Sequence, residues 1–231
     1  MKSYRTYFEQ MSNIVSSIYD RIPRMELEEA KRSVAAFMRR AYERGLTTTS
    51  GGNISARVGG RMVITPSGTD KSSLTEENIA VVDIETGRNL TPDKKLSIET
   101  EMHRLIYLRR SDVGAVCHSH PVFCCLFSAS GERIDTSIIA ESWYLLDEVK
   151  KVEYERMGTV ELAEKVSAEI ASGFNAVLLE KHGALAVGRD VTGAFDRLEC
   201  LEQAAKLTFL SHTVRTEDLT GEQKKAIALM R

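Results

Sequence analysis

Apolar side chains recur at helical spacing in six stretches of the chain. In each stretch an apolar residue returns every three or four positions, which places one apolar face along a helix. Gly45 and Gly173 follow two of the stretches as stop signals, and Thr220 with Gln223 forms a capping box at the start of the last. The predicted helices cover residues 4–21, 26–44, a segment beginning at Ser97, 159–172, 192–211 and a segment beginning at Thr220.

Short apolar runs bounded by turn residues predict seven strands between these helices. Glycine turns of two to five residues, such as Val58-Gly59-Gly60, join neighbouring strands, and turns of that length favour antiparallel hairpins. The residues alone therefore predict an α/β layered domain with a mixed or antiparallel sheet. The predicted strands cover residues 53–57, 62–65, 79–83, 115–118, 149–154, 176–180 and 184–187.

Length and composition are those of an ordinary globular protein. The 231 residues suffice for one substantial core, and apolar and charged residues make up 42% and 28% of them. Because the chain contains neither a repeat nor a linker-like segment, we expect one domain over residues 25–231 after a short helical extension, residues 1–24. The formal net charge of −2 gives no reason to expect a nucleic acid or an anionic membrane as a partner.

The cysteines and the apolar runs indicate the compartment. No run reaches the roughly 18 apolar residues of a membrane span, and the N-terminal sequence lacks the apolar core of a signal peptide. Cys117, Cys124, Cys125 and Cys200 have the spacing of neither a disulfide framework nor a zinc motif. We therefore expect buried free thiols in a protein of the reducing cytoplasm.

Two histidines separated by one residue follow an apolar run. Residues i and i+2 of an extended backbone face the same side, so His118 and His120 can point at one ion. His182, in the turn Lys181-His182-Gly183, is the candidate for a third nitrogen ligand, which would complete a catalytic zinc-type site. For a single pair of histidines with this spacing, chance together with a structural histidine is the more common explanation, so the spacing by itself is a weak signal.

His103, four residues after Glu99 on the same helix face, either supports the site or packs in the core, and we favour packing. We interpret His212 as a surface residue.

Three short segments offer hydrogen-bond donors for an anion. The turns Thr49-Ser50-Gly51-Gly52-Asn53 and Thr65-Pro66-Ser67-Gly68 combine small residues with amide and hydroxyl donors. Ser97 is expected to open a helix, whose first amides carry partial positive charge. Glu99, in the first turn of that helix, is either favoured there by the helix dipole or placed beside a metal, where it can move a proton. The chain contains no nucleotide-binding fingerprint.

Five motifs, in this order along the chain, resemble the class II aldolase family typified by L-fuculose-1-phosphate aldolase. The resemblance extends over about residues 25–230, and the combination is far more specific than any one motif. The motifs are Gly51-Gly52-Asn53-Ile54-Ser55, Ile64-Thr65-Pro66-Ser67-Gly68, Ser97-Ile98-Glu99-Thr100-Glu101-Met102-His103, Ala115-Val116-Cys117-His118-Ser119-His120 and Lys181-His182-Gly183.

The resemblance implies a three-layer α/β/α fold with a central, mostly antiparallel sheet, in a homotetramer with active sites at subunit contacts. It implies that His118, His120 and His182 bind one Zn²⁺, or another divalent transition metal, per subunit, and that Glu99 is the catalytic acid and base. The implied reaction is retro-aldol cleavage of a ketose 1-phosphate to dihydroxyacetone phosphate and an aldehyde through a metal-stabilised enediolate. The phosphate of this sugar phosphate would be held by Gly52, Asn53, Ser67, Gly68 and Ser97.

Two positions depart from the family pattern. Ile98 stands where a second serine is usual, so one phosphate-binding hydroxyl is missing. The catalytic tyrosine that reaches in from a neighbouring subunit aligns near Ile139, and Tyr144 and Tyr154 are the nearest candidates.

Three alternatives use the same fold. A dehydratase of methylthioribulose-1-phosphate type would use the same metal to expel water, with Glu141 as a tentative acid or base. A ribulose-phosphate 4-epimerase is disfavoured, because such enzymes carry aspartate where Glu99 stands. An adducin-like scaffold without catalysis would lack the metal histidines that this chain retains.

Overall fold

The structure is a computed structural model that describes residues 24–214 and 216–230. The predicted helix over residues 4–21, and all but Arg24 of the predicted extension 1–24, lie outside the described residues. The helices of the described ranges are α1 (Arg24–Glu43), α2 (Thr100–Arg109), α3 (Val122–Ala129), α4 (Ala140–Leu146), α5 (Val160–Ala171), α6 (Val191–Ser211) and α7 (Gly221–Ala228). The strands are β1 (Asn53–Val58), β2 (Arg61–Ile64), β3 (Ala80–Asp83), β4 (Ala115–Ser119), β5 (Lys150–Val152), β6 (Ala176–Leu179) and β7 (Gly183–Gly188).

These seven strands form one sheet in the order β3-β2-β1-β4-β7-β6-β5. Its neighbouring strands are antiparallel, except that β5 runs parallel to β6 at one edge. β4 lies in the middle, where His118 is opposite Asn53 of β1 and opposite Leu185 of β7. This register brings segments that are far apart in sequence onto adjacent strands.

Helices cover both faces of the sheet. α1, α3, α4 and α6 share one core with Cys117 of β4, and α2 and α5 share the other core with Val116 of the same strand. Neighbouring strand residues therefore alternate between the two cores, as the pleat of a strand requires. The prediction of a three-layer α/β/α fold with a mostly antiparallel sheet is confirmed.

All seven predicted strands are found within two residues of their predicted bounds. The same is true of four predicted helices, those over 26–44, 159–172 and 192–211 and the one after Thr220. The prediction that Ser97 opens a helix is wrong, because α2 begins at Thr100. Ser97 Oγ accepts a hydrogen bond from the Glu99 N–H at 3.3 Å, and the Ser97 carbonyl accepts one from Thr100 N–H at 3.1 Å. Ser97 therefore forms a turn that precedes the helix.

The sequence predicts neither α3 nor α4. Pro121 precedes α3 and provides no side-chain cap. Glu202 of α6 replaces that cap, because its two carboxylate oxygens accept hydrogen bonds from the backbone N–H groups of Phe123 at 3.0 Å and Cys124 at 2.9 Å. A cap that another helix supplies leaves no signal in the local sequence.

The thiols are arranged as expected. All four cysteines lie within the described residues and are free, with Cys117, Cys124 and Cys200 buried and Cys125 partly buried. None of the described helices has both the length and the apolar character needed to cross a membrane.

Candidate active site

β4 carries the first two histidines to the centre of the sheet. His118 is completely buried and shares a strand face with Val116. Its Nδ1 lies 2.9 Å from the carbonyl oxygen of Ala184 on β7, so Nδ1–H donates there and Nε2 is the nitrogen available to the site. His120 follows the strand, and its backbone N–H donates to the Leu46 carbonyl at 3.1 Å.

The third histidine lies in the tight turn between β6 and β7. Lys181 adopts a left-handed conformation with φ of 55°, and the His182 N–H donates to the Leu179 carbonyl at 3.0 Å. A Cβ on Gly183 would lie 2.5 Å from the Ser119 carbonyl oxygen and 2.7 Å from Cδ2 of His120. Only glycine therefore allows this turn to pack against the end of β4.

The structure brings His118, His120 and His182 together. The ring centroid of His118 lies 5.0 Å from that of His120 and 4.8 Å from that of His182. The centroids of His120 and His182 are 5.2 Å apart. One candidate ligand atom from each residue lies within 4.8 Å of the others. His120 and His182 are partly exposed, so the cluster opens from the core toward solvent.

Glu99 lies directly beside this cluster, as the cap residue before α2 rather than in its first turn. Its Oε2 is 3.2 Å from Nε2 of His118, and its Oε1 is 3.4 Å from Nε2 of His182. Asn53 donates from Nδ2 to Glu99 Oε2 at 2.7 Å and to Ser97 Oγ at 3.1 Å. The buried carboxylate is thus held between an amide and two imidazoles.

Burial keeps two of the imidazoles neutral near pH 7. It lowers the pKa of His120 to about 3 and the pKa of His182 to about 4, and the neighbouring His118 adds to both shifts. Burial also opposes charge on Glu99 and on His118. Their mutual attraction outweighs it, so the pKa of Glu99 falls well below its usual range and the pKa of His118 rises. His120 and His182 therefore present neutral imidazoles beside the ionised Glu99 carboxylate, which favours the charged form of His118.

Several polar atoms of the cluster are not satisfied by the described part of the chain. These buried atoms without a hydrogen-bond partner are Nε2 of His118, Nε2 of His120, Nδ1 of His182 and Oε1 of Glu99. Buried polar atoms are ordinarily paired, and lone pairs of this kind attract a cation. Three imidazole nitrogens with an open fourth position are the donor set of a catalytic zinc site. The residues present therefore fit a zinc-type ion.

The first predicted phosphate turn packs against the histidine strand. Gly52 has a φ of 66°, and a Cβ there would lie 2.8 Å from the carbonyl oxygen of His118. Asn53 continues into β1, where its hydrogen bonds reach Ser97 and Glu99. Gly52, Asn53 and Ser97 thus border the cluster on one side.

The second predicted phosphate turn follows β2. Ser67 is partly buried and its N–H donates to the Lys95 carbonyl at 3.0 Å, whereas Gly68 is exposed with a φ of 70°. The N–H of Lys71 donates to the Thr49 carbonyl at 2.9 Å. This hydrogen bond ties the segment that follows the second turn to Thr49, the first residue of the first turn.

Glu141 and the tyrosine candidates lie on exposed segments. Glu141 is exposed on α4. Burial of the Cys200 thiol raises its pKa to about 12, and the negative charge of Glu141 is the second contribution to that rise. Tyr144 on α4 and Tyr154 are 40% and 57% exposed, and Ile139 caps α4. Glu141 is not among the charges that shift the pKa of Glu99 or of the three clustered histidines. Its catalytic role, like that of a tyrosine, stays a prediction.

The two remaining histidines lie outside the cluster, as predicted. His103 is completely buried, with Nδ1 2.7 Å from the Ser55 hydroxyl, which also bonds Tyr107 Oη at 2.8 Å. Nε2 of His103 is buried without a hydrogen-bond partner in the described ranges, and the choice between a packing role and support of the site stays a prediction. His212 is exposed, with Nε2 3.6 Å from a Glu132 oxygen.

Sequence reasoning missed two side chains next to the predicted turns. Thr47 Oγ1 is buried without a hydrogen-bond partner in the described ranges, and a Cβ on Gly52 would lie 3.0 Å from it. Lys71 is only 1% exposed. Thr47 belongs to a run of three threonines before Gly51, which weakly indicates a role near that turn. Lys71 stands between an aspartate and a serine, a pattern typical of an exposed surface residue.

Comparison with known proteins gives one consistent result. The family described as Class II Aldolase and Adducin N-terminal domain matches residues 32–209. An L-fuculose phosphate aldolase of Methanococcus maripaludis is 33% identical over 174 residues, covering 75% of this chain and 93% of the relative. A 3-oxo-tetronate 4-phosphate decarboxylase of Haemophilus influenzae is 32% identical over 190 residues, covering 80% of this chain and 89% of the relative.

A solved structure of L-fuculose 1-phosphate aldolase superposes with a TM-score of 0.80 at 29% identity, covering 87% of this chain and 95% of that chain. The family match spans β1 to β7 and therefore includes the histidine cluster, Glu99 and both turns. The chain belongs to the class II aldolase family.

Proposed function

We propose that this protein is a metal-dependent lyase that cleaves a ketose 1-phosphate to dihydroxyacetone phosphate and an aldehyde. The observation that carries the proposal is the convergence of three imidazoles and one ionised, buried carboxylate with unpaired polar atoms. The similarity to fuculose phosphate aldolases supports the same reaction class.

The chain's own residues have complementary tasks in this reaction. His118, His120 and His182 would hold the ion, and Ala184 fixes the orientation of His118. A bound zinc-type ion supplies Lewis-acid polarisation of the substrate carbonyl. Glu99, ionised and oriented by Asn53, is placed to exchange the proton on the carbon that loses its carbon–carbon bond.

The substrate phosphate belongs beside this cluster. Two turns supply amide and hydroxyl donors, and the Lys71–Thr49 hydrogen bond connects them. The donors are those of Gly52 and Asn53 on the first turn, Ser67 and Gly68 on the second, and Ser97, which is hydrogen-bonded to Asn53. Such donors hold the substrate in one orientation, which lowers the entropic part of the activation free energy for the cleavage step. Ile98 provides no hydroxyl and its side chain is 55% exposed.

We further propose a cytoplasmic homotetramer with the site at a subunit contact. Three apolar side chains close to Glu99 are more than half exposed: those of Ile98, Met157 and Val160. Ile98 precedes Glu99 in the chain and packs on Gly158, which brings the segment of Met157 and Val160 next to it. The four free cysteines are compatible with a reducing compartment. Sedimentation analysis of the purified protein tests the tetramer, and a monomer at micromolar concentration contradicts it.

The first experiment measures bound metal by elemental analysis together with release of dihydroxyacetone phosphate from a panel of ketose 1-phosphates. We expect about one zinc-like ion per chain, as a catalytic zinc site implies, and its loss in His120→Ala. The matched control is His212→Ala, which removes an exposed histidine and should keep both metal and activity. A wild-type protein that takes up no metal after zinc supplementation contradicts the proposal.

A decarboxylase remains the second candidate, because the 3-oxo-tetronate 4-phosphate decarboxylase relative is as similar as the aldolase relative. Product analysis separates the two reactions on the same residues. Release of carbon dioxide from a 3-oxo acid phosphate, without dihydroxyacetone phosphate, selects the decarboxylase. Loss of water without cleavage of a carbon–carbon bond, together with inactivity of Glu141→Gln, selects the dehydratase.

A further inference from the structure

Lys71 is a buried cation that the reaction described above does not use. It lies in a short 3₁₀ turn, Lys71–Ser73, and is only 1% exposed to solvent. Within the described ranges its Nζ donates one hydrogen bond, to the Pro66 carbonyl oxygen at 2.9 Å. An ammonium group has three protons to donate, so this one contact uses a third of its capacity.

Lys71 has no carboxylate partner within ion-pairing distance among residues 24–214 and 216–230. A lysine is almost never fully buried without such a partner, because removing an isolated charge from water is unfavourable. Burial lowers the pKa of Lys71 to about 8, and no opposing charge offsets that shift. Most Lys71 side chains are therefore still charged at pH 7, in a place that destabilises the fold.

The contacts of Lys71 locate this charge between the two predicted phosphate turns. Pro66, whose carbonyl binds Nζ, immediately precedes Ser67 and Gly68. The backbone N–H of Lys71 donates to Thr49, which immediately precedes Ser50-Gly51-Gly52. Lys71 thus contacts the first turn through its backbone N–H and the second turn through its Nζ, which places a positive charge against the Pro66 carbonyl.

We propose that Lys71 is the electrostatic anchor of the substrate phosphate: its buried ammonium, hydrogen-bonded to the carbonyl that immediately precedes Ser67 and Gly68, attracts the phosphate dianion that the two turns bind. Lys71 acts as a positioning residue, since its Nζ is bonded to Pro66 and the turn donors are those of Ser67 and Gly68. The inference rests on the proposed function, because it needs a phosphate at these turns. It explains why a charge that weakens the fold is retained in this turn.

The other charged groups around Lys71 do not replace its role. Asp70 is exposed, and its carboxylate accepts hydrogen bonds from the N–H and hydroxyl of Ser72, which lower the pKa of Asp70. Arg39 of α1, the helix packed against this turn, donates to the Leu74 carbonyl. Glu76 and Glu77 follow in the next 3₁₀ turn, where Glu77 is exposed and Glu76 partly exposed.

The sign of the pH dependence follows from these positions. Above pH 8 the unliganded protein loses the Lys71 proton, so phosphate affinity should fall as pH rises from 7 to 9.5. A phosphate monoester, with a second pKa near 6, stays a dianion throughout that range. Binding above pH 8 should be accompanied by proton uptake, because the bound dianion favours the charged form of Lys71.

The experiment is calorimetric titration of the zinc-loaded protein with glycerol 3-phosphate at low ionic strength, between pH 7 and 9.5. For wild type we expect about tenfold weaker binding at pH 9.5 than at pH 7. Lys71→Met should bind about tenfold more weakly at pH 7, with little further change as pH rises. The matched control, Lys150→Met, removes an exposed lysine on β5 at the far edge of the sheet and should titrate like wild type.

Thermal unfolding separates this role from a purely structural one. Because Met replaces an unpaired buried charge by an apolar chain of similar shape, Lys71→Met should unfold at a higher temperature than wild type. A lower unfolding temperature, with an unchanged pH dependence of binding, overturns the inference in favour of a structural lysine. Equal affinity of wild type and Lys71→Met at pH 7 overturns it and leaves the proposed function intact. Absence of glycerol 3-phosphate binding to wild type overturns both.

Discussion

Glu99 and Glu202 are two carboxylates on opposite sides of the sheet, and the protein uses them in opposite ways. Both oxygens of Glu202 accept backbone N–H groups at the start of α3, at 3.0 and 2.9 Å. Glu99 receives one hydrogen bond, from Asn53, and its Oε1 is buried without a partner among the described residues. One carboxylate is saturated by the fold, and the other keeps an oxygen directed at the histidine cluster.

The difference indicates that engagement of both carboxylate oxygens distinguishes the structural acid, Glu202, from the proposed catalytic acid, Glu99. A carboxylate whose two oxygens each accept a helix N–H stabilises the start of that helix. A carboxylate whose second oxygen has no hydrogen-bond partner in the described part of the chain can still accept or donate a proton. Substitutions at the two positions should therefore affect different properties of the protein.

Glu99→Gln should give the largest effect. The amide keeps the shape and the Asn53 contact but cannot exchange a proton, so we expect activity to fall about a thousandfold while the unfolding temperature changes little. Steady-state kinetics with the ketose 1-phosphate measures the loss. Glu101→Gln, two positions along on α2 and paired with Arg104, is the matched control. A tenfold loss or less would remove Glu99 from the proton-transfer step.

Gly183→Ala should act next, by displacing the histidines without removing any of them. The new methyl group would lie 2.7 Å from the His120 ring and 2.5 Å from the Ser119 carbonyl, so the turn must move away from β4. We expect metal affinity to fall about 10- to 100-fold, the size of effect seen when the groups supporting a metal site are disturbed. Competition with a chelator measures it, and Gly60→Ala, in open space, is the control.

Glu202→Gln should affect stability and leave catalysis nearly unchanged. The amide can accept only one of the two α3 N–H groups and loses the favourable charge at the helix start, so we expect about 1–2 kcal/mol of lost stability. Denaturant unfolding measures the loss. A fall in turnover comparable to that of Glu99→Gln would break the distinction between the two carboxylates.

Ile98→Ser should give the smallest effect. It places a hydroxyl between Ser97 and Glu99 but removes the packing of the Ile98 side chain on Gly158. That packing is close, because a Cβ added to Gly158 would lie 3.1 Å from the Cβ of Ile98. One added hydrogen bond corresponds to about threefold tighter phosphate binding. Ile98→Ala removes the same packing without adding the donor. Equal affinity of the two variants would mean that the hydroxyl does not reach the phosphate.

How far the sequence alone leads depends on whether a feature is encoded locally. The β4 strand and the His118-Ser119-His120 spacing are local, and the structure contains both. The α3 cap depends on Glu202, and the displaced start of α2 depends on a side-chain hydrogen bond of Ser97, so local patterns failed at both places. Adding His182 to the pair required the family resemblance, since no periodicity links a hairpin turn to a strand far along the chain.

The register between β4 and β7 gives the cluster a meaning for folding. His118 and His182 are 64 residues apart, and they meet only after Ser119 has paired with Ala184 across these strands. A slip of one residue would turn the His118 side chain to the opposite face of the sheet. High-affinity metal uptake during refolding should therefore coincide with formation of this long-range strand pair, and local helix formation should precede it. The ion would thus report when the two halves of the sheet have joined correctly.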